Sequence, residues 1–219
     1  MPKLIIGLGT GRCGTRSLAK LLDSHDEISA GHEQKYMLWD PDAKVADKFL
    51  RKLLNNGSKL SADVGFYWIN YVDHISDNYP GTKFICLKRE KEKVIESFMR
   101  GDVNPMHSNL ILELMSDKIT RLRDTVTQEE LYEMDENTRE WVETYWDEPM
   151  LDNCILKEFF PNYDGGGRRD YLSRYYDDYY EKAKAYAKKY MQNFVLMDMD
   201  FALNSQKGIN TIFNFIGAH

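Results

Sequence analysis

Residues 9–17, GTGRCGTRS, combine three glycines, two arginines and three hydroxyl side chains near the start of the chain. Backbone N–H groups of such a loop, together with the positive end of a following helix dipole, attract an anion. The spacing Gly-x-x-x-x-Gly is that of a phosphate-binding loop, but Thr15 stands where an NTPase carries the lysine that bridges the β- and γ-phosphates. We therefore expect this phosphate loop to bind a group other than an ordinary triphosphate, with Arg12 at its apex facing a leaving phosphate. An ordinary strand-to-helix turn is the alternative.

A second pair of residues is suited to a phosphate. In LKREKEKVIES, Arg89 follows an apolar run and Ser97 comes eight residues later. Because the first of these residues form a loop and a helix entry, Ser97 can face back toward Arg89. An arginine with a hydroxyl can hold a phosphate monoester, although an arginine at the end of a strand is also a common surface charge.

Alternating strands and helices are predicted to position these residues. Strand patterns fall at 3–8, 27–30, 60–62, 83–87 and 194–197, and helix patterns at 15–24, 42–54, 67–78, 91–100, 171–190 and 208–216. This alternation predicts an α/β fold with a P-loop-type parallel β-sheet flanked by helices on both faces. We expect one domain over residues 1–219, with residues 102–170 as a mostly helical insertion.

Composition limits the class of protein. A net charge of −6 and a pI of about 5.4 argue against a general nucleic-acid binder. The three cysteines are far apart and show neither a disulfide framework nor metal-ligand spacing, which fits a reducing compartment. A strand pattern from Lys3 leaves no room for a signal peptide, and no apolar run approaches about 18 residues. The sequence thus predicts a cytoplasmic protein without a membrane span; its oligomeric state is left open.

Together the two phosphate motifs resemble those of the sulfotransferases that use 3′-phosphoadenosine-5′-phosphosulfate (PAPS). GTGRCGTRSL is similar to their 5′-phosphosulfate loop, and KFICLKREKEKVIES to their 3′-phosphate motif. The Tyr-Pro-Gly before the second motif agrees, as do FVLMDMDFAL and INTIFNFIG near the end of the chain. The resemblance covers residues 3–217 and is thin over 102–161. It implies transfer of a sulfuryl group from PAPS to a hydroxyl or amine, in line and without a required metal.

The resemblance also assigns residues to the nucleotide. Loop residues assigned to the 5′-phosphosulfate are Gly11, Arg12, Cys13, Gly14, Thr15, Arg16 and Ser17, while Arg89 and Ser97 are assigned to the 3′-phosphate. Cys13 departs from the usual serine, and Arg89-Glu90-Lys91 replaces Arg-Asp-Pro. The chain ends at His219, where many relatives continue into a loop that clamps the nucleotide. Arg168 and Arg169 are candidates to replace that loop, and a solvated turn is the equal alternative.

A general base is needed because the acceptor loses a proton as its oxygen attacks sulfur. In AGHEQKY, Glu33 matches the position of the catalytic glutamate in many family members, and His32 is the neighbouring candidate. Since side chains of adjacent residues diverge, we expect only one to serve, with Glu33 preferred. A structural role for Glu33 is the alternative. Asp63, at the end of the third strand, is expected to contact the acceptor or the base.

The predicted insertion provides the remaining candidates. Residues 124–148 hold ten acidic residues and one basic residue, and Trp141 and Tyr145 offer ring faces for an acceptor. The acidic excess favours a small neutral or cationic acceptor, such as a hydroxylated metabolite, a glycolipid or a simple carbohydrate. The alternative is that these charges only solvate a helical face. Tyrosines of the 171–190 helix are expected to stack on a sugar or ring, or to pack.

Two other functions stay open on the sequence. An ATP- and magnesium-dependent phosphotransferase is supported by the phosphate loop and by Asp198, since FVLMD mimics the strand that ends in a magnesium-binding aspartate. A nucleotide-binding module without activity would explain Cys13 and the missing proline after Arg89.

Overall fold

A five-stranded parallel sheet forms the centre of the computed structural model, which describes residues 3–33, 43–100 and 168–218. The sheet order is β2-β3-β1-β4-β5. Its strands are β1 (Lys3–Leu8), β2 (Ile28–His32), β3 (Leu60–Val64), β4 (Lys83–Lys88) and β5 (Phe194–Asp198). Residues 102–167 of the predicted insertion lie outside the described residues, as do Trp141 and Tyr145 within it.

Helices lie on both sides of this sheet, so the predicted α/β fold is confirmed. They are α1 (Thr15–Asp23), α2 (Ala43–Leu54), a 3₁₀ helix (Phe66–Tyr71), α3 (Val72–Asn78), α4 (Lys91–Met99), α5 (Arg168–Lys189), α6 (Met199–Asn204) and α7 (Gln206–Ile216). Within the described ranges, no helix is both long enough and apolar enough to cross a membrane.

Among the differences from the sequence predictions, two concern the segments around Asp63 and His32. The single helix predicted over 67–78 is a 3₁₀ helix followed by α3. The reason is that the Tyr67 hydroxyl and the Trp68 indole N–H both donate to Asp63, which lies near the end of β3. Strand β2 runs on to His32 rather than ending at residue 30, because it stays in register with β3 up to the pair His32 and Val64.

The central strands are buried on both faces, as expected for a parallel sheet covered by helices. In β1, Leu4, Ile5, Ile6 and Leu8 are at most 2% exposed. Gly7 pairs with Val64 of β3, and a Cβ added at Gly7 would lie only 2.6 Å from the Val64 methyl groups. Close packing between these two strands thus requires the glycine.

Because all five strands are parallel, their carboxyl ends share one edge of the sheet, where ligands bind in open α/β folds. The phosphate loop follows β1, Glu33 follows β2 and Arg89 follows β4. Asp63 lies near the end of β3. The fold thus brings the predicted phosphate-binding and base residues to the same edge.

Candidate active site

The phosphate loop is sharply curved between β1 and α1. Gly9, Gly11 and Gly14 have φ values of 155°, 79° and 88°, and Arg12 has a φ of 54°. A positive φ is readily adopted by glycine but uncommon for a residue with a side chain. Arg12 is therefore held in a conformation that the loop imposes, and its side chain is exposed.

Cys13 packs beneath the phosphate loop. Its side chain is fully buried, and a Cβ added at Gly9 would lie 2.2 Å from its Sγ. Burial raises the pKa of the thiol to about 11, so it remains protonated at neutral pH. The predicted contact of Cys13 with the nucleotide is thus limited to its main chain, and the side chain instead explains why position 9 is glycine.

The two predicted phosphate motifs meet at the phosphate loop. Arg89 Nη1 donates a hydrogen bond to the Arg12 carbonyl at 3.0 Å. The Arg12 guanidinium lies 5.8 Å from the centre of the Phe98 ring on α4, and the same ring would lie 3.3 Å from a Cβ added at Gly11. Arg89 and α4 therefore lie directly beside the phosphate loop, as the paired motifs predicted.

One nitrogen of Arg89 has no protein partner in the described part of the chain. Its Nε is buried without a hydrogen bond, although guanidinium donors are normally satisfied when buried. Arg89 also lines a cleft of about 500 Å³ over the ends of β4 and β5, together with Lys88 and Asp198. The arrangement can accept an anion with several oxygens.

Other predicted phosphate ligands lie nearby without contacts that decide their roles. Ser97 is half-buried on α4, and its bond to a 3′-phosphate stays a prediction. Ser17 lines a second cleft of about 250 Å³ with Gly14 and residues of α6. Arg169 forms an ion pair with Glu92 of α4, so a clamping role also stays a prediction, and the Arg168 side chain lies outside the described atoms.

The two candidate bases lie close together, contrary to the prediction that their side chains diverge. Glu33 Oε1 is 3.9 Å from His32 Nε2. The reason is that β2 ends at His32, and Glu33 follows with a φ of 49° while its N–H donates to the Val64 carbonyl at 3.0 Å. His32 Nε2 also lies 3.1 Å from Thr15 Oγ1 in α1. Both candidates therefore border the phosphate loop.

Burial controls the charge of both candidates. It raises the pKa of Glu33 to about 7, with a further rise from the Asp63 carboxylate and an opposing effect of Arg16. Burial and Arg16 both lower the pKa of His32. His32 is therefore neutral at neutral pH, and its contact with Glu33 is not an ion pair. Glu33 has the pKa expected of a general base that works near pH 7.

Asp63 lies behind this pair. Its carboxylate is fully buried and accepts hydrogen bonds from Tyr67 Oη at 2.9 Å and Trp68 Nε1 at 2.7 Å. A fully buried carboxylate is not placed to contact an acceptor, which leaves the second predicted role, an influence on the base. That influence acts through charge, since Asp63 raises the pKa of Glu33.

Asp198 has a structural role in this structure. Its side chain caps the start of α6 by accepting from the Phe201 N–H at 2.9 Å. Aspartate is among the preferred residues at this position. The likeness of FVLMD to a magnesium-binding strand is thereby explained, and the described residues contain no cluster of three His, Cys, Asp or Glu side chains suited to a metal.

Four tyrosines contribute to the site in a way that was not predicted. Tyr175, Tyr176, Tyr179 and Tyr180 of α5 are at most 5% exposed. Of the two roles left open for these tyrosines, the structure shows packing: they lie in the core and turn their hydroxyls to main-chain groups of the site. The signal in the sequence was their spacing, which places all four on one face of a helix.

Comparison with known proteins agrees with this geometry. Residues 4–202 match the model of the sulfotransferase domain. A solved sulfotransferase from Alicyclobacillus acidocaldarius aligns over 100% of this chain and 82% of its own, with a TM-score of 0.53 and 15% identity, which shows a shared fold. The comparison with curated proteins gives no match. Since the sulfotransferase domain model covers most of its length, the chain belongs to the sulfotransferase family.

Proposed function

We propose that this sulfotransferase uses PAPS as the donor and transfers its sulfuryl group to a hydroxyl or amine of a small neutral or cationic acceptor. The observation that carries the proposal is the position of Arg89 beside the phosphate loop, where its Nη1 donates to the Arg12 carbonyl and its buried Nε has no partner among the described residues. A donor with phosphates at both the 5′ and 3′ positions needs two anion sites. The phosphate loop and Arg89 are suited to supply them.

Each phosphate group has its own set of ligands under this proposal. The main chain of the phosphate loop, with Arg12, Arg16 and Ser17, holds the 5′-phosphosulfate at the start of α1. Arg89 and Ser97 hold the 3′-phosphate, where the Arg89 guanidinium donates charge-assisted hydrogen bonds. The cleft of about 500 Å³ at Arg89 is of a size for the rest of a nucleotide.

Glu33 is the proposed base. It takes the proton of the acceptor as the acceptor oxygen or nitrogen forms a bond to sulfur, while the bond from sulfur to the 5′-phosphate oxygen breaks. The electron pair of that bond stays on the departing phosphate, so the second product is 3′,5′-adenosine diphosphate. Arg12 stabilises the charge that develops on this oxygen, an effect that belongs to the transition state.

An ATP-dependent phosphotransferase has less support. Asp198 is occupied in capping α6. The position of the NTPase lysine is taken by Thr15, whose Oγ1 lies 3.1 Å from His32 Nε2.

The choice of a neutral or cationic acceptor rests on the acidic composition of residues 124–148. An acceptor screen with labelled PAPS tests it, and a preference for heparin-like chains over neutral alcohols would contradict it.

Calorimetric titration tests the donor. We expect 3′,5′-adenosine diphosphate to bind about 10–150-fold more tightly than 5′-AMP, because a charge-assisted contact contributes about 1.5–3 kcal/mol. Arg89→Ala should remove most of this preference, while Arg51→Ala, which deletes the same side chain from an exposed position on α2, should not. Equal affinities of the wild-type protein for the two nucleotides, or tighter binding of ATP with magnesium, would overturn the proposal.

A further inference from the structure

The four buried tyrosines of α5 form what we call the tyrosine face: Tyr175, Tyr176, Tyr179 and Tyr180. Buried hydroxyls need hydrogen-bond partners, and these four find theirs in the main chain of segments far away in the sequence. Each partner belongs to a segment that follows a strand or ends it. The tyrosine face therefore reaches the site from the core, and Tyr176 also lines the cleft of about 500 Å³ at Arg89.

Two of these tyrosines hold the phosphate loop. Tyr179 Oη accepts from the Gly9 N–H at 2.9 Å and donates to the Phe66 carbonyl at 3.0 Å, so it joins the loop after β1 to the segment after β3. Tyr175 Oη donates to the Thr10 carbonyl at 3.2 Å. The first residues of the phosphate loop are thereby held by hydroxyls of α5.

The other two tyrosines hold the second motif. Tyr176 Oη donates to the Arg89 carbonyl at 2.6 Å, and Tyr180 Oη donates to the Leu87 carbonyl at 2.7 Å. The side chain of Arg89 in turn donates to the Arg12 carbonyl. The main chain that carries the arginine is thus fixed by α5, and the guanidinium is fixed by the loop.

We infer that the tyrosine face sets the separation of the two phosphate sites, with Tyr176 as a positioning residue for the 3′-phosphate and Tyr175 and Tyr179 as positioning residues for the 5′-phosphosulfate. The inference rests on the proposed function. A single helix that bonds to the segment after β1 and to the end of β4 fixes the distance between them. A nucleotide with two phosphates binds both sites at once only if that distance matches its own. The hydroxyls of these tyrosines are engaged with main-chain groups and take no part in the proposed chemical step.

Tyrosine-to-phenylalanine variants test the inference, because they remove a hydroxyl and keep the ring. In Tyr176→Phe, we expect the preference for 3′,5′-adenosine diphosphate over 5′-AMP to fall about 3–10-fold, the effect of one lost hydrogen bond, while the affinity for 5′-AMP stays within about twofold. In Tyr179→Phe, both nucleotides should bind more weakly by the same factor, so that the preference is unchanged. A purely structural role would not separate the two variants in this way.

Tyr190→Phe is the matched control. Its hydroxyl lies 2.6 Å from Asp73 Oδ1 and contacts neither phosphate motif, so the substitution should change the affinity for neither nucleotide.

Amide hydrogen exchange in the wild-type protein gives a measurement that needs no variant. The Gly9 N–H should be protected through Tyr179, and rapid exchange at Gly9 would overturn its role.

Failure of the inference is distinct from failure of the proposed function. If the wild-type protein prefers 3′,5′-adenosine diphosphate and Tyr176→Phe keeps that preference in full, the positioning role is wrong and the donor assignment stands. If the wild-type protein shows no preference, the 3′-phosphate assignment itself is wrong.

Discussion

At the end of β4, two hydrogen bonds fix Arg89. Its carbonyl accepts from the Tyr176 hydroxyl, and its guanidinium donates to the Arg12 carbonyl. At the end of β2, Glu33 donates its N–H to the Val64 carbonyl and lies near His32, Asp63 and Arg16. The first region holds its arginine through main-chain carbonyls, whereas the second holds a carboxyl whose pKa burial raises to about 7. The difference predicts that nucleotide binding and turnover can be changed separately.

The largest expected effect is that of Glu33→Gln. Turnover should fall by about 10²–10⁴-fold if Glu33 is the base, while the affinity for 3′,5′-adenosine diphosphate stays within about twofold. Steady-state rates at saturating donor, together with calorimetry, measure the two quantities. Glu181→Gln, at an exposed position on α5, is the control. Near-normal turnover in Glu33→Gln would transfer the role to His32, which His32→Ala then tests.

A smaller effect is expected from pH. Because the base acts when deprotonated, a pKa of about 7 predicts that turnover rises about tenfold from pH 6 to pH 8. Asp63→Asn removes a charge that raises this pKa, so the midpoint of the profile should move to lower pH. Asp77→Asn, exposed on α3, should leave it in place. A midpoint that stays fixed in Asp63→Asn would show that Asp63 does not act on the base.

A third effect concerns stability. The folded-state pKa of Glu33 lies above its ordinary value of 4.5, so its contribution to the free energy of unfolding is present at low pH and is lost as pH rises through about 7. Glu33→Gln removes this loss. The free energy of unfolding of the variant, relative to that of the wild type, should rise by about 1–3 kcal/mol from pH 5 to pH 8, as measured by urea unfolding. An equal difference at both pH values would mean that Glu33 is not destabilised by burial.

Much of the fold follows from local sequence patterns. KLIIGL and KFICLK are apolar runs of strand length, and their burial on both faces is what a covered parallel sheet demands. The meeting of the phosphate loop with Arg89 also follows, because both come after parallel strands and must share an edge. These predictions needed only the residues themselves and the topology.

The rest depends on contacts between distant segments. The left-handed conformation of Glu33 depends on the hydrogen bond from its N–H to the Val64 carbonyl. The sequence around Glu33 contains no pattern that predicts this conformation. The burial of Cys13 depends on space left by Gly9 and on Tyr180 of α5. Asp198 is different, because an aspartate before a short helix is a recognisable capping signal that its likeness to a metal-binding strand concealed.

The hydrogen bond between Gly9 and Tyr179 joins residues 170 positions apart, and this has a consequence for the order of folding. Four of the five strands and the whole phosphate loop lie within the first hundred residues, so they can associate early. The loop acquires its support only when α5 docks, and closing so long a stretch of chain is slow compared with local pairing. Competence to bind the nucleotide should therefore appear late in refolding, after the signal of sheet formation.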